Sequence, residues 1–201
     1  MCRVGRLLWE RGLVGATEGN ISARLAKDAL LCTPGGLSKG HLSPNDLVVI
    51  NLAGKALDDG TPSSEIGLHV RAFARRPDCQ AVVHAHPPIA TGLALAGRTI
   101  PDTLLPEAMI VLGRVPLLPF AMPGTDAVPD GLEPFLADHK TFLLGHHGAA
   151  TLGRDLADAY HRMETLERVA AVLLHAEAMG GPQPLPPAAA AELKAHLHGR
   201  L

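Results

Sequence analysis

The sequence has few aromatic residues and few cysteines. Aromatic side chains make up 3% of the 201 residues, so we expect a core built mostly from aliphatic side chains. The three cysteines, Cys2, Cys32 and Cys79, are odd in number, far apart and without a Cys-x-x-Cys pair. That pattern argues against a disulfide framework and against a thiolate zinc site, and we expect buried free thiols instead.

Long apolar runs and an excess of basic charge are also missing. No stretch approaches the roughly 18 apolar residues that cross a bilayer, and residues 1–14 carry charged side chains inside any signal-peptide core. The net charge is −2 with no long basic run, which argues against nucleic-acid binding. These features predict a cytoplasmic protein with no nucleic-acid or membrane partner, whose ligand is a small molecule.

Strand and helix patterns alternate irregularly along the chain. Residues 1–201 fit one domain, and the pattern predicts an α/β fold of three layers, in which helices cover a largely antiparallel central sheet. Helices are predicted over residues 4–13, 62–75, 89–96, 155–179 and 188–197. Strands are predicted over residues 21–25, 30–33, 47–52, 81–86, 115–120 and 141–144.

Histidines are grouped in two places. His84 and His86 lie two apart on a predicted strand, so both side chains point to the same face and can share one ion. His147 lies at a strand end in a Gly-His-His-Gly segment, and Glu65 supplies a carboxylate from a predicted first helical turn. Three imidazoles and a carboxylate suit Zn²⁺, with Mn²⁺ or Co²⁺ as substitutes. A His-x-His pair alone is more often a pair without metal, so this alternative stays open.

Three turns could bind an anion. Ser63 and Ser64 lie at a predicted helix N-terminus, where free backbone N–H groups attract phosphate. Glycine-bearing turns at Gly19-Asn20 and Gly35-Gly36 could complete such a site. Ordinary turn formation explains each of the three equally well when it is considered alone. The combination of a metal site with a phosphate pocket is much harder to meet by chance.

Together these segments resemble the class II aldolase/adducin family over almost the whole chain, from Gly12 to about Met179. The resemblance implies that substrate phosphate is held by six residues, Gly19, Asn20, Gly35, Gly36, Ser63 and Ser64. It implies that Glu65 is the catalytic acid/base and a metal ligand. The other implied metal ligands are His84, His86 and His147, with His146 a neighbour. Glutamate rather than aspartate at position 65 favours the aldolase branch of the family.

The sequence departs from the family pattern at two positions. Gly35 stands where the family's aldolase has a threonine, which removes a hydroxyl donor from the second phosphate turn. Leu105 stands where that aldolase has a tyrosine, contributed by an adjacent subunit, that protonates the departing aldehyde oxygen. Tyr160, the only tyrosine, is expected to be a core residue, and Glu107 could serve a different substrate or simply be solvated. The acid that acts on the leaving group is therefore unassigned.

The activity implied by the resemblance is that of a zinc-dependent aldolase. Such an enzyme would cleave a ketose 1-phosphate, for example L-fuculose 1-phosphate, to dihydroxyacetone phosphate and a small aldehyde. Burial is expected to raise the pKa of Glu65 into a useful range for proton transfer. Alternatives are a sugar-phosphate epimerase or a decarboxylase that uses the same metal-enolate site, and a non-catalytic adducin-like binding module. The resemblance also implies a homotetramer with sites at the subunit interfaces.

Overall fold

The computed structural model describes residues 1–198 and contains one mixed sheet of seven strands. Its order across the sheet is β3-β2-β1-β4-β7-β6-β5. Every neighbouring pair is antiparallel except β5 and β6, which are parallel. The prediction of a largely antiparallel sheet is therefore confirmed. The strands are β1 (Asn20–Ala26), β2 (Ala29–Cys32), β3 (Val48–Asn51), β4 (Ala81–Ala85), β5 (Leu117–Leu118), β6 (Thr141–Leu144) and β7 (Gly148–Gly153).

Helices cover both faces of the sheet. The α-helices are α1 (Cys2–Glu10), α2 (Ile66–Arg75), α3 (Pro88–Leu95), α4 (Ala127–Leu132), α5 (Leu156–Ala178) and α6 (Pro187–His198). One apolar cluster joins α1, α3 and α5 to one face, and a second joins α2 and α4 to the other. Because side chains alternate along a strand, Val83 of β4 belongs to the first cluster and Val82 to the second. The expected α/β architecture of three layers is confirmed.

Four elements differ from the sequence-based prediction, and one of them is helix α4 (Ala127–Leu132), which was not predicted. Helix α2 begins at Ile66 rather than Pro62, because Ser63 and Ser64 form a turn that leads to Glu65 at the N-cap. Strand β7 was not predicted, since its residues are mostly small and carry no alternating pattern. The strand expected over residues 115–120 is reduced to Leu117–Leu118. Of the predicted C-terminal tail, residues 199–201 lie outside the described part of the chain.

The structure also settles the expectations for the cysteines, for Tyr160 and for the start of α5. Cys32 and Cys79 are buried free thiols, and Cys2 is half-buried. Tyr160 is a core residue on α5, and its hydroxyl donates to Glu164 at 3.1 Å. Helix α5 begins where predicted because the Asp155 carboxylate caps it by accepting from the Asp158 N–H at 2.7 Å. Among residues 1–198, no helix is long and apolar enough to cross a membrane.

The end of β7 packs against the first turn of α5 so closely that only glycine fits. A Cβ atom on Gly153 would overlap the backbone nitrogen of Ala159 and would lie 2.6 Å from the carbonyl oxygen of Asp155. Both obstacles are backbone atoms of α5, which cannot rotate away. This contact therefore fixes α5 against the sheet at one end.

We predict that Gly153→Ala lowers the free energy of unfolding by about 3 kcal/mol, because the added methyl group must displace backbone. The matched control is Gly92→Ala on α3, where a Cβ atom meets nothing within 4 Å. That change should leave stability unaltered or raise it by up to about 1 kcal/mol through helix propensity. Urea denaturation of both variants measures the difference, and equal stabilities would contradict the packing argument.

Candidate active site

The pairing of β1 with β4 places Asn20 directly opposite His84. His84 is 1% exposed, and its Nδ1–H donates to the carbonyl oxygen of Ala149 on β7 at 2.9 Å. Since Nδ1 carries the hydrogen in that bond, the Nε2 of the neutral ring keeps its lone pair. The sheet therefore holds one imidazole nitrogen ready to accept a proton or bind a metal ion.

Two further histidines meet this nitrogen. The ring centroids of His84, His86 and His147 lie 4.8–5.1 Å apart, and one ligand atom from each ring lies within 4.8 Å of the others. His86 follows the last residue of β4, and its Nε2 is 3.2 Å from that of His84. His147 lies in the turn between β6 and β7. His146, next to it, is exposed and its ring lies against Phe120.

The glycine after His147 makes room for this cluster. A Cβ atom on Gly148 would lie 2.5 Å from the carbonyl oxygen of Ala85 and 2.7 Å from Cδ2 of His86. Any larger residue would push His86 away from its neighbours. The residue on the other side of His147 has left-handed backbone, with φ of 56° at His146, which tightens the turn.

Glu65 lies against two of the three histidines. Its Oε1 is 3.0 Å from Nε2 of His147, and its Oε2 is 3.3 Å from Nε2 of His84. Burial alone would raise the pKa of Glu65, but a hydrogen bond from His147 and the attraction of the neighbouring His84 and His147 imidazoles outweigh burial and hold that pKa far below its ordinary value. The expectation of a raised pKa was wrong, because it considered desolvation without the two adjacent imidazoles.

These residues could hold a divalent metal ion. Bonds of about 2.0–2.1 Å from a tetrahedral zinc put neighbouring ligand nitrogens about 3.3 Å apart. The separation of 3.2 Å between the Nε2 atoms of His84 and His86 meets this requirement. Burial, reinforced by His84 and His147, lowers the pKa of His86 to about 4, so its imidazole is neutral at physiological pH. Neutral imidazole and ionised carboxylate are the forms that bind metal.

The three turns predicted to bind phosphate meet beside this cluster. The side-chain Nδ2 of Asn20 donates to Ser63 Oγ and to Glu65 Oε2, both at 3.1 Å. A Cβ atom on Gly35 would lie 3.7 Å from the Cα of Ser63, so the second turn touches the third. Gly19 has φ of +68°, and a Cβ atom there would lie 2.7 Å from the carbonyl oxygen of His84. Ser64 and Gly36 are exposed on the same turns.

Comparison with known proteins now gives the family. The model of the class II aldolase and adducin N-terminal domain matches residues 1–174. The chain belongs to this family. The 3-oxo-tetronate 4-phosphate decarboxylase of Haemophilus influenzae is 33% identical over 174 residues, which are 85% of this chain and 83% of that protein. The L-fuculose phosphate aldolase of Methanococcus maripaludis is 30% identical over 168 residues, covering 84% of this chain and 91% of that protein.

A solved structure supports the same assignment. The crystal structure of YgbL from Escherichia coli superposes with a TM-score of 0.90 at 30% identity, covering 96% of this chain and 95% of that one. The predicted family and the prediction of an enzyme are both confirmed, because the chain is related to class II aldolase enzymes along most of its length. The family contains aldolases and decarboxylases, so membership does not select one reaction.

Sequence reasoning missed a buried lysine that joins two of these turns. Lys39 is 2% exposed, and its Nζ donates to the carbonyl oxygens of Thr17 at 2.8 Å and Leu37 at 2.6 Å. Thr17 precedes the Gly19-Asn20 turn, and Leu37 follows the Gly35-Gly36 turn. Lys39 therefore fixes the distance between the two turns. Nothing in the local sequence identified it, since a lysine is usually exposed.

A second missed residue supports the segment after His86. The Glu167 carboxylate on α5 accepts from the backbone N–H groups of Ile89 and Ala90, each at 2.9 Å to its nearer oxygen. These are unpaired N–H groups in the first turn of α3, which follows His86 by only two residues. Glu167 therefore anchors the chain just beyond a candidate ligand. Its contact partner is 77 residues away in sequence, so no local signal could reveal it.

Leu105, at the family's tyrosine position, and the nearby Glu107 line a cavity separate from the histidine cluster. Leu105 and Glu107 line a cavity of about 550 Å³ together with Arg11, Glu164 and Val172. None of the candidate metal ligands lines this cavity. Leu105 packs partly buried against the core cluster that contains Tyr160. Neither Leu105 nor Tyr160 therefore offers a proton to the histidine cluster of its own chain.

A buried histidine behind the site makes stability depend on pH. Burial lowers the pKa of His69 from 6.5 to about 3; repulsion by His84 adds to this and attraction by Glu65 opposes it. The unfolded chain takes up a proton at this position near pH 6.5, whereas the folded protein takes it up only near pH 3. The free energy of unfolding therefore decreases as the pH falls between these values.

We predict that His69→Gln makes the free energy of unfolding less dependent on pH over that window. Glutamine does not titrate, so the unfolded variant binds one proton fewer than the unfolded original protein. The slope of the unfolding free energy against pH therefore falls by up to about 1.4 kcal/mol per pH unit. Urea denaturation at a series of pH values measures the slopes independently of any constant loss of stability. Identical slopes for the two proteins would mean that His69 is already protonated in the folded state.

Proposed function

We propose that this protein is a metal-dependent lyase that decarboxylates a 3-oxo sugar-acid phosphate. The observation that carries the proposal is the contact of three histidines and Glu65 with the Asn20 and Ser63 turns. A ligand spanning these groups would present an anion to the turns and oxygen atoms to the histidines. The relationship to decarboxylases of 3-oxo-tetronate 4-phosphate supports this substrate class.

We assign the metal to His84, His86, His147 and Glu65, with Zn²⁺ as the ion and Mn²⁺ or Co²⁺ as substitutes. A divalent ion there supplies electrostatic stabilisation of negative charge that develops on the substrate's carbonyl oxygen. We assign the substrate phosphate to the backbone and side-chain donors of the three turns. These residues are Gly19, Asn20, Gly35, Gly36, Ser63 and Ser64.

Glu65 is the proposed proton donor to carbon. Loss of CO₂ leaves an electron pair on the carbon that carried the carboxylate, and one proton must be added there. Glu65 is ionised while His147 and His84 hold its carboxylate at 3.0 and 3.3 Å. Displacement of these contacts by substrate raises its pKa, so it takes a proton from water and then delivers it to the carbon. One proton is consumed for each CO₂ released.

The lack of a tyrosine near the metal favours decarboxylation over aldol cleavage. Departing CO₂ needs no proton transfer at its oxygen atoms, whereas aldol cleavage must remove the hydroxyl proton of the fragment that becomes the aldehyde. In the cleavage direction the group at the tyrosine position must therefore accept a proton, so the expectation that it donates one is corrected. The family position for that group holds Leu105, and the only tyrosine of the chain, Tyr160, is buried and donates to Glu164. Tyr160 is thus committed to the core, and the family position offers no phenol.

Aldol cleavage of a ketose 1-phosphate such as L-fuculose 1-phosphate is the second candidate. It passes through the same negatively charged three-carbon fragment and gives the same dihydroxyacetone phosphate. Glutamate at position 65, rather than the aspartate of epimerases, favours it over epimerisation. The four filled ligand positions argue against a non-catalytic adducin-like module.

We also propose a homotetramer, in keeping with exposed apolar side chains at Leu95, Ile110, Phe120 and Met122.

We predict that the protein converts 3-oxo-tetronate 4-phosphate to dihydroxyacetone phosphate and CO₂ faster than it cleaves L-fuculose 1-phosphate. Chelator treatment should abolish turnover, and restored Zn²⁺, Mn²⁺ or Co²⁺ should recover it. Both products are measured, CO₂ directly and the triose phosphate by a coupled assay. Formation of an aldehyde with dihydroxyacetone phosphate from L-fuculose 1-phosphate, without CO₂ from the sugar acid, would select the second candidate. Full activity without metal would exclude both.

We predict that Glu65→Gln slows exchange of the dihydroxyacetone phosphate hydroxymethyl proton with solvent by at least about a hundredfold, because an amide cannot shuttle a proton. Proton NMR in deuterated water follows this exchange with the metal-loaded protein, and metal analysis checks that the variant retains its ion. The matched control is Glu18→Gln, whose carboxylate is exposed and 3.9 Å from Nδ1 of His86. Exchange that survives Glu65→Gln would assign the proton transfer to another group.

A further inference from the structure

His69 links the candidate site to the interior of the protein. It extends from α2 toward the sheet, is fully buried, and contacts two polar side chains of β1. Its Nδ1 lies in short hydrogen-bond contact with Ser22 Oγ, and its Nε2 with Asn20 Oδ1. His69 belongs neither to the histidine cluster nor to the phosphate turns, so the mechanism above gives it no role.

The chemistry of Glu65 fixes the direction of these hydrogen bonds. Asn20 Nδ2 faces the Glu65 carboxylate at 3.1 Å, and an ionised carboxylate accepts hydrogen bonds but donates none. The amide group of Asn20 therefore turns its NH₂ to Glu65 and its oxygen to His69. Because that oxygen only accepts, Nε2 of His69 must carry the hydrogen. The neutral ring then accepts at Nδ1, and the hydroxyl of Ser22 donates to it.

We propose that His69 is a positioning residue, held in its Nε2–H form by Ser22, that keeps the Asn20 amide in a single orientation. In this orientation both amide hydrogens point into the candidate site, one to Ser63 Oγ and one to Glu65 Oε2. The inference deepens the proposed function and rests on it in one respect, namely the assignment of Asn20 to the substrate phosphate. The hydrogen-bond chain itself is independent of that assignment.

An asparagine amide needs such a support because its two ends have nearly the same shape. After a flip, the Asn20 oxygen would face the Glu65 carboxylate, and its NH₂ would face the N–H of His69. Two attractive contacts would become two repulsive ones. Asn20 is 3% exposed and Ser22 and His69 are fully buried, so solvent has little access to the chain of hydrogen bonds. The fixed donor at His69 therefore selects the orientation.

Two substitutions of His69 distinguish a role in positioning Asn20 from a role that only fills space in the core. The amide of Gln reaches about as far as Nε2 of histidine and can still donate to Asn20 Oδ1. The amide of Asn reaches only about as far as Nδ1 and can meet Ser22 but not Asn20. We expect His69→Gln to bind inorganic phosphate within a few-fold of the unaltered protein. We expect His69→Asn to bind it about tenfold more weakly, since Asn20 is free to flip.

Isothermal titration of the full-length protein with inorganic phosphate gives these affinities. Equal affinities for the two variants would overturn the positioning role, because both remove the imidazole. If the unaltered protein binds no phosphate, the phosphate assignment under the proposed function fails. In that case the hydrogen-bond chain from Ser22 through His69 to Asn20 is tested by the tautomer of His69 alone.

The tautomer is read by nitrogen NMR of the unaltered protein labelled at histidine. The signals of His69 are assigned by their change in Ser22→Ala and their loss in His69→Gln. We expect a protonated Nε2 and an unprotonated Nδ1 throughout the range of about pH 6 to 8. A hydrogen on Nδ1, or a mixture of the two tautomers, would overturn the proposal whatever the two phosphate affinities are.

Discussion

The antiparallel register between β1 and β4 is the constraint on which the candidate site depends. It sets Asn20 opposite His84 and Ser22 opposite Val82 at the centre of the sheet. A shift of β1 by one residue would turn Asn20 and Ser22 to the opposite face, against α3 and α5. Apolar neighbours hold the register, since Ile21 and Val83 belong to one core cluster and Val82 to the other. Packing of the two cores thus fixes the polar groups between them.

Electrostatics at the site follow from which groups this register brings together. Burial disfavours charge on Glu65 and on His86 alike, yet the pKa values of both are lowered. For His86 burial acts in that direction by itself. For Glu65 it acts in the opposite direction and is overcome by the two neighbouring imidazoles of His84 and His147. The arrangement consequently presents an ionised carboxylate beside neutral nitrogen, the state that favours a bound cation.

The sequence predicted what depends on local pattern and motif. The layer order, the long helix α5 and strands β1 and β4 follow from hydrophobic periodicity, and the spacing of His84 and His86 suggested a shared ion. Strand β7 escaped prediction because Gly148, Ala149 and Ala150 are small to admit close neighbours, which erases the usual pattern of large apolar residues. Lys39, Glu167 and His69 escaped because their roles come from distant contacts and burial that no local pattern encodes.

The central residues of the site and the residues around them have different tasks in this family. This difference explains why family membership does not select one reaction. The proposed central groups, His84, His86, His147 and Glu65, would serve any chemistry that puts negative charge next to a carbonyl. Decarboxylation and aldol cleavage differ in whether the departing fragment must lose a proton. That difference depends on residues at the edge of the site, beyond the four central groups. Here the family's tyrosine position carries Leu105, and Tyr160 serves the core of α5. A site that lacks a group to accept the hydroxyl proton of a departing aldehyde, with its proposed charge-stabilising centre in place, suits a fragment that departs without any proton transfer.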